Sequence, residues 1–154
     1  MTNNEVREIF DASFSDVTRK LVRLEVSKVR QPIEQDKNIL SQGVRGKIET
    51  KGEVNLTVIC RFSEPLFRYI IETMHGGTLP IEEEIPLYLN EYMNIICGDA
   101  ISKINNITKS RSRLSVPSFY GDKDSLEILT GKRSIFFLIY DTEYGKLHVG
   151  LFLD

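Results

Sequence analysis

The feature that most constrains the fold is the repeated change in the spacing of apolar residues along the chain. Near the N-terminus, apolar side chains recur every three or four residues over 3–21, which predicts an amphipathic helix. From Val22 to Val26 apolar and polar residues alternate, which predicts a strand that Pro32 ends or confines to a sheet edge. The chain is therefore expected to combine helices with strands.

The later segments are arranged mostly as hairpins. Predicted strands at 44–50 and 53–62 flank the turn at Lys51-Gly52, and predicted strands at 132–141 and 146–153 flank a four-residue turn. The same patterns predict a polar loop at 34–42, a second helix from Ser63 to Gly76, a third helix at 82–106 and a strand at 114–119. Three helices and six strands of this kind indicate an α+β fold, in which an antiparallel sheet packs against the helices as a single domain over residues 1–154.

Composition excludes two classes of function. With 20 Lys and Arg against 22 Asp and Glu, the formal charge of -2 leaves no large basic field, so we expect no nucleic-acid partner. The longest apolar run, Ile135–Tyr140, is far shorter than the roughly 18 residues of a membrane span, so we expect no membrane association.

Residues 1–5 do not resemble a secretory signal, and Cys60 and Cys97 have apolar neighbours. Buried thiols and a cytoplasmic location are therefore expected.

The third predicted helix has an unusual outer face. At about 100° per residue, most of its apolar residues gather on one side, which we expect to face the core. Glu91 and Asn94 are three residues apart on the other side and are therefore neighbours. That side also contains Leu87, Gly98 and Ile101. A glycine inside a helix costs about 1 kcal/mol relative to alanine, so Gly98 indicates a close approach by another backbone. We expect a docking surface with two polar groups at its centre, although an exposed pair of this kind is by itself typical of a solvated helix.

The order of helix, strand and hairpin occurs twice in the sequence. A shift of 83 residues places Glu8-Ile9-Phe10-Asp11 on Glu91-Tyr92-Met93-Asn94. A degenerate internal duplication would explain this match, and so would a chance similarity between two amphipathic helices.

The third helix resembles a known family. Glu91-x-x-Asn94, then Gly98 and, after 22 intervening residues, Pro117 resemble the motif of the CheC–CheX family of chemotaxis phosphatases. The segment Asn94-Ile95-Ile96-Cys97-Gly98 is similar to the family's Asn-Met-Ile-x-Gly segment. Leu87 stands where the family has Ser or Asp.

The first predicted helix decides which branch of the family the chain resembles more. Glu8 and Asp11 occupy the positions at which CheC carries a second working pair. An aspartate cannot donate the amide N–H of an asparagine. One working motif in the third helix therefore resembles CheX more than CheC.

The resemblance implies an activity and its residues. Members of this family hydrolyse the phosphoaspartate of CheY-like response regulators. Asn94 would orient the attacking water, and Glu91 would pair with the partner's phosphate-binding lysine. Leu87, Gly98 and Ile101 would contact the partner. The chain would need no cofactor of its own, because Mg²⁺ is expected in the phosphorylated response regulator.

The resemblance also implies an assembly. CheX-like proteins form dimers by joining their sheets. The terminal strand at 146–153 alternates and is predicted to be the exposed edge of a homodimer.

Other interpretations of the sequence remain open. A catalytically silent binding module on the same fold is one, because flagellar switch proteins contain related domains, and Leu87 and the degenerate first helix favour it. A small-ligand sensor is another, for which the sequence has no pocket signature. His75 and His148 are expected to be structural rather than metal ligands, and the acidic residues of 122–127 are expected to form a polar turn rather than a cation loop.

Overall fold

The protein is an antiparallel sheet with three helices packed against one of its faces. The structure, a computed structural model, describes residues 1–29, 37–122, 124 and 133–153. The helices are α1 (Asn3–Val22), α2 (Glu64–Met74) and α3 (Ile85–Thr108). The strands are β1 (Ser27–Lys28), β2 (Val44–Lys51), β3 (Leu56–Phe62), β4 (Arg113–Leu114), β5 (Ser118–Tyr120), β6 (Arg133–Thr142) and β7 (Gly145–Leu153). The predicted α+β class, with an antiparallel sheet and three helices, is confirmed.

The strands form one sheet in the order β1-β6-β7-β3-β2-β4, with β5 also paired to β2. β7 pairs with β6 on one side and with β3 on the other, so it lies inside the sheet. The prediction that 146–153 is an edge strand is therefore wrong. Residues 147–153 carry no charged side chain, and all but the last are buried, whereas edge strands are commonly protected by charges.

The main core lies between the sheet and the helices. Buried side chains from both layers meet there, including Phe10 and Phe14 of α1, Ile70 of α2 and Ile96 of α3. The helix α3 lies directly against β2, since a Cβ added at Gly46 would come within 3.1 Å of Met93 Cγ. This contact positions the outer face of α3 relative to the sheet.

A second, smaller core lies on the opposite face of the sheet. It contains Leu40, Ile59 and Phe152. Leu40 comes from a 3₁₀ segment, Lys37–Ser41, which occupies most of the described part of the loop predicted at 34–42. Both faces of the central strands are therefore buried.

The segment after α1 differs from the prediction. Val22 is the last residue of the helix, and Arg23 follows with φ of 55°, in the left-handed region that ends a helix. The apolar alternation up to Val26 therefore belongs to a helix end and an unpaired stretch, and pairing begins only at β1. Leu24 is nevertheless buried, so the pattern predicted its burial but not its backbone. Pro32 lies outside the described residues.

The other predicted elements differ from the observed ones mainly at their ends. A 3₁₀ turn at Glu82–Glu84 precedes α3, which ends at Thr108 rather than at residue 106. The strand predicted at 114–119 is divided into β4 and β5 around Pro117, which has no backbone N–H to donate to a sheet. Both cysteines are buried free thiols, as expected. Of the helices described, none combines the length and the apolar character that crossing a bilayer requires.

Candidate functional site

Glu91 and Asn94 lie next to each other on the exposed face of α3. The helix is continuous from Ile85 to Thr108, so residues three apart project from neighbouring positions on its surface. Both side chains are exposed. Neither forms a hydrogen bond or an ion pair with another residue of the described ranges. The acid and the amide are therefore available to groups outside the chain.

A buried hydrogen bond fixes the opposite side of α3. The hydroxyl groups of Tyr92 and Thr18 lie 2.7 Å apart, and both side chains are almost completely buried. Burial raises the pKa of Tyr92, so its hydroxyl stays neutral near neutral pH and can serve in this hydrogen bond. Because Tyr92 lies between Glu91 and Asn94 in the sequence, anchoring it to α1 turns both functional candidates outward.

A charged cluster makes a second connection between α1 and α3. The Ser13 hydroxyl donates to Asp99 over 2.8 Å, and Lys103 Nζ lies 2.9 Å from the same carboxylate oxygen. Burial acts to raise the pKa of Asp99, but the hydrogen bonds from Lys103 and Ser13 outweigh it and lower that pKa. Asp99 is therefore held as an anion on the flank of the helix.

The chain that follows α3 folds back along it. The side-chain amide of Asn105 donates to the Ser112 carbonyl over 3.0 Å and accepts from the Ser112 N–H over 3.1 Å. This bidentate contact directs β4 alongside the helix, and Leu114 Cδ1 lies 3.7 Å from the position of a Cβ added at Gly98. Because β4 returns along α3, more of the helix surface is buried than the apolar spacing of the sequence predicts.

The wider buried arc changes part of the predicted docking surface. Ile101, predicted to contact a partner, is only 4% exposed and belongs to the main core, so that prediction is wrong. Leu87 is 63% exposed, and Gly98 is partly exposed. The accessible line along the helix therefore consists of Leu87, Glu91, Asn94 and Gly98. Ile101 instead packs in the main core.

The corresponding pair on α1 has a structural environment. Asp11 accepts a hydrogen bond from the Tyr140 hydroxyl over 2.6 Å and pairs with Lys28 Nζ at 3.0 Å. These contacts tie α1 to β6 and β1. An aspartate with two partners inside the chain is not free for a second site, in agreement with one candidate motif in α3.

The other sequence candidates have local structural roles. His75 follows the last residue of α2, and its Nδ1 lies 2.9 Å from the Thr78 carbonyl oxygen. Asp122 accepts from the Gly43 N–H, and Asp124 accepts from the Gly121 N–H. Across the described residues, no three histidine, cysteine or acidic side chains are grouped as metal ligands would be. The rest of the predicted 122–127 turn lies outside those residues.

Sequence patterns missed one exposed residue in the segment that returns along α3. Val116, between β4 and β5, is 85% exposed. It lies inside the stretch predicted as a strand, where a single valine gives no indication of its orientation. The exposure of Val116 depends on the return of β4 along α3, which local spacing does not predict.

Comparison with known proteins identifies the family. A family model described as chemotaxis phosphatase CheX matches residues 44–140, more than half of the chain. No curated protein matches the sequence at a significant level.

Solved structures share the fold over nearly the whole chain. The chemotaxis protein CheX from Desulfovibrio desulfuricans has a TM-score of 0.83 at 16% identity, covering 97% of this chain and 99% of that one. The CheX in a CheX–CheY–BeF3–Mg²⁺ complex from Borrelia burgdorferi has a TM-score of 0.77 at 16% identity, covering 95% and 96%. FliY from Thermotoga maritima has a TM-score of 0.67 at 14% identity, covering 97% and 86%. At such identities these likenesses establish the fold, whereas the family follows from the model match. The chain belongs to the CheX family of chemotaxis phosphatases.

Proposed function

We propose that this chain hydrolyses the phosphoaspartate of a CheY-like response regulator, with Asn94 orienting the attacking water. The observation that supports this most directly is the exposure of Glu91 and Asn94, which have no side-chain partner among the described residues, on an unbroken, anchored helix. The Borrelia complex supports the choice of partner, because it combines a CheX with CheY, BeF3 and Mg²⁺. Had either side chain been packed inward, the proposal would have had no basis.

The chemistry requires little from the chain beyond geometry. Phosphoryl transfer needs an attacking water in line with the bond that breaks, together with neutralisation of charge. The amide of Asn94 can accept a hydrogen bond from that water and donate one to it or to a phosphoryl oxygen. Mg²⁺ and the phosphate-binding lysine would be supplied by the receiver domain of the response regulator.

Glu91 has a docking role in this proposal. Its carboxylate would pair with the receiver's lysine and so set the position of Asn94 one helical turn away. An exposed pair of this kind contributes less than about 1 kcal/mol, but its contribution rises when docking excludes water. Glu91 should therefore affect both binding and turnover.

Phosphate release from a phosphorylated receiver domain tests the assignment. Asn94→Ala should abolish release while retaining binding, and Glu91→Ala should weaken both. Asn106→Ala is the matched control, because Asn106 is also an exposed asparagine of α3 but lies 12 residues further along. Normal release by the Asn94→Ala variant would refute the proposed role of the amide.

A silent binding module is the second candidate function. One observation favours it: Leu87 stands in place of the Ser or Asp of the family motif. Isothermal titration against phosphorylated and unphosphorylated receiver, combined with the release assay, separates the two functions. Phosphate-dependent binding without any release would favour the silent module.

We also propose that the chain is a homodimer, although not through β7. Within the described ranges, β6 has a strand partner on its outer side only where β1 pairs with Tyr140 and Asp141. The part of β6 before Ile139 is therefore the better candidate for joining two sheets. Sedimentation equilibrium that shows only monomer would remove this proposal.

A further inference from the structure

We infer that Leu87 and Val116 form an apolar margin around Glu91 and Asn94, against which the receiver domain docks. The inference rests on the proposed function and names the surface that would recognise its partner. Six large apolar side chains are exposed in the described ranges: Met1, Leu79, Ile81, Leu87, Ile107 and Val116. Val116 is the most exposed of them, and Leu87 precedes Glu91 by one helical turn.

Two contacts place the segment that carries Val116 along α3. On one side of it, Leu114 reaches the level of Gly98, one turn beyond Asn94. On the other side, Phe119 pairs with Gly46, and Gly46 lies against Met93. The segment between Leu114 and Phe119 therefore passes α3 at the level of Asn94, with Val116 at its exposed point.

The backbone that presents Val116 is fixed before any partner arrives. The Ser115 N–H donates to the Glu49 carbonyl over 2.7 Å, and the Glu49 N–H donates to Ser115 Oγ over 2.9 Å. Both β4 and β5 pair with β2, and Pro117 restricts the backbone between them. A β-branched apolar side chain held rigidly in solvent loses little entropy on docking, which favours binding.

The arrangement fits a receiver domain better than a second copy of this chain. A charged pair gains strength when surrounding contacts exclude water, and apolar side chains flanking Glu91 would exclude it once a receiver lysine is engaged. A second copy would instead bring Glu91 near an equal negative charge if the same face were used by both subunits. Leu87 also replaces a polar residue type of the family, so we expect the receiver to present an apolar surface opposite it.

Binding of activated receiver tests the inference. CheY from the same organism, activated with BeF3 and Mg²⁺, is titrated calorimetrically into the wild-type chain and into Leu87→Ser and Val116→Ser. Each substitution should raise Kd about tenfold, as expected for losing most of the burial of one aliphatic side chain. In the release assay, kcat/KM should fall by a similar factor because KM rises while kcat stays the same.

Ile107→Ser is the matched control. Ile107 is 60% exposed on the same helix, close to the 63% of Leu87, but lies roughly 20 Å from Asn94 at 1.5 Å per residue. This variant should bind and hydrolyse like the wild type. Circular dichroism and the melting temperature establish that all three variants are folded.

The outcomes separate this inference from the proposed function. Suppose that the wild-type chain binds and hydrolyses while Leu87→Ser and Val116→Ser bind as tightly as Ile107→Ser. That result would overturn the apolar margin and leave the proposed function standing. A wild-type chain that neither binds nor hydrolyses would overturn both. If the substitutions instead reduce the sedimenting mass of the chain without CheY, the surface belongs to a homodimer and the inference is wrong.

Discussion

Replacing Gly98 by alanine tests whether this helix position requires glycine because of packing within the chain or because a partner protein approaches it. Gly98 is not among the residues with positive φ, so its backbone does not require glycine. Among the described residues, and apart from the backbone of α3 itself, an added Cβ would meet only Leu114 Cδ1, at 3.7 Å, which is an ordinary van der Waals contact. Alanine gains about 0.8–1 kcal/mol over glycine inside a helix. We therefore expect Gly98→Ala to raise the free energy of unfolding by about 0.5–1 kcal/mol, because the new contact is attractive and takes nothing from this gain.

The same substitution should have the opposite effect on docking. If a receiver domain lies against Gly98, the added methyl group enters a packed interface, where overpacking typically costs about 1–3 kcal/mol. Affinity for the activated receiver should then fall by about fivefold to a hundredfold. Urea unfolding followed by circular dichroism gives the stability, and isothermal titration gives the affinity.

Two results would refute the reasoning about Gly98. A loss of stability would show that the space around its Cα is smaller than the structure indicates. A gain in stability without any loss of affinity would show that no partner approaches this residue. The predicted combination, a more stable helix that docks less well, requires both the open space and the partner.

Three further predictions concern the anchoring of α3. Tyr92→Phe should lower the free energy of unfolding by about 1–2 kcal/mol, because it leaves the buried Thr18 hydroxyl without its partner; additive losses in a double-mutant cycle with Thr18→Val would contradict this. Burial raises the pKa of Cys97 to about 12, so its thiol should react with Ellman's reagent only after denaturation; fast labelling of folded protein would count against it. The pKa of Asp99 is below its ordinary value of 3.8, so its contribution to stability should be complete well above pH 3.8 and lost below it. Unfolding of Asp99→Asn compared with wild type across acid pH measures this, and a difference that persists at the lowest pH would oppose it.

Much of the fold could be predicted because local patterns and local structure agree. The bounds of α1 follow from its apolar spacing and from Thr2, whose hydroxyl accepts from the Glu5 N–H. The hairpins follow from alternation around short turns. The failure at Val22–Val26 has a local cause, since five alternating residues cannot distinguish a strand from a helix end followed by an extended stretch.

Long-range order could not be predicted in the same way. The place of β7 in the sheet depends on which strands pair, and alternation alone does not reveal this. The absence of charged side chains from residues 147–153 was the available indication, because an exposed edge without charges invites aggregation. Ile101 was misplaced for a related reason: the arc of α3 that is buried depends on where the chain after residue 108 returns.

The return of the chain along α3 also explains why the candidate site could be predicted only in part. Glu91 and Asn94 share a face because of helical spacing, which the sequence specifies directly. The hydrogen bonds that hold α3 in place come from Thr18, Ser13 and Ser112, which helical spacing does not reveal and which contact α3 only in the folded state. A residue that acts by entering another protein's active site must be held still by its own protein, because a displacement of about 1 Å can cost roughly a hundredfold in rate. If Asn94 acts as proposed, the residues that anchor α3 should therefore also affect turnover, although none of them would touch the substrate.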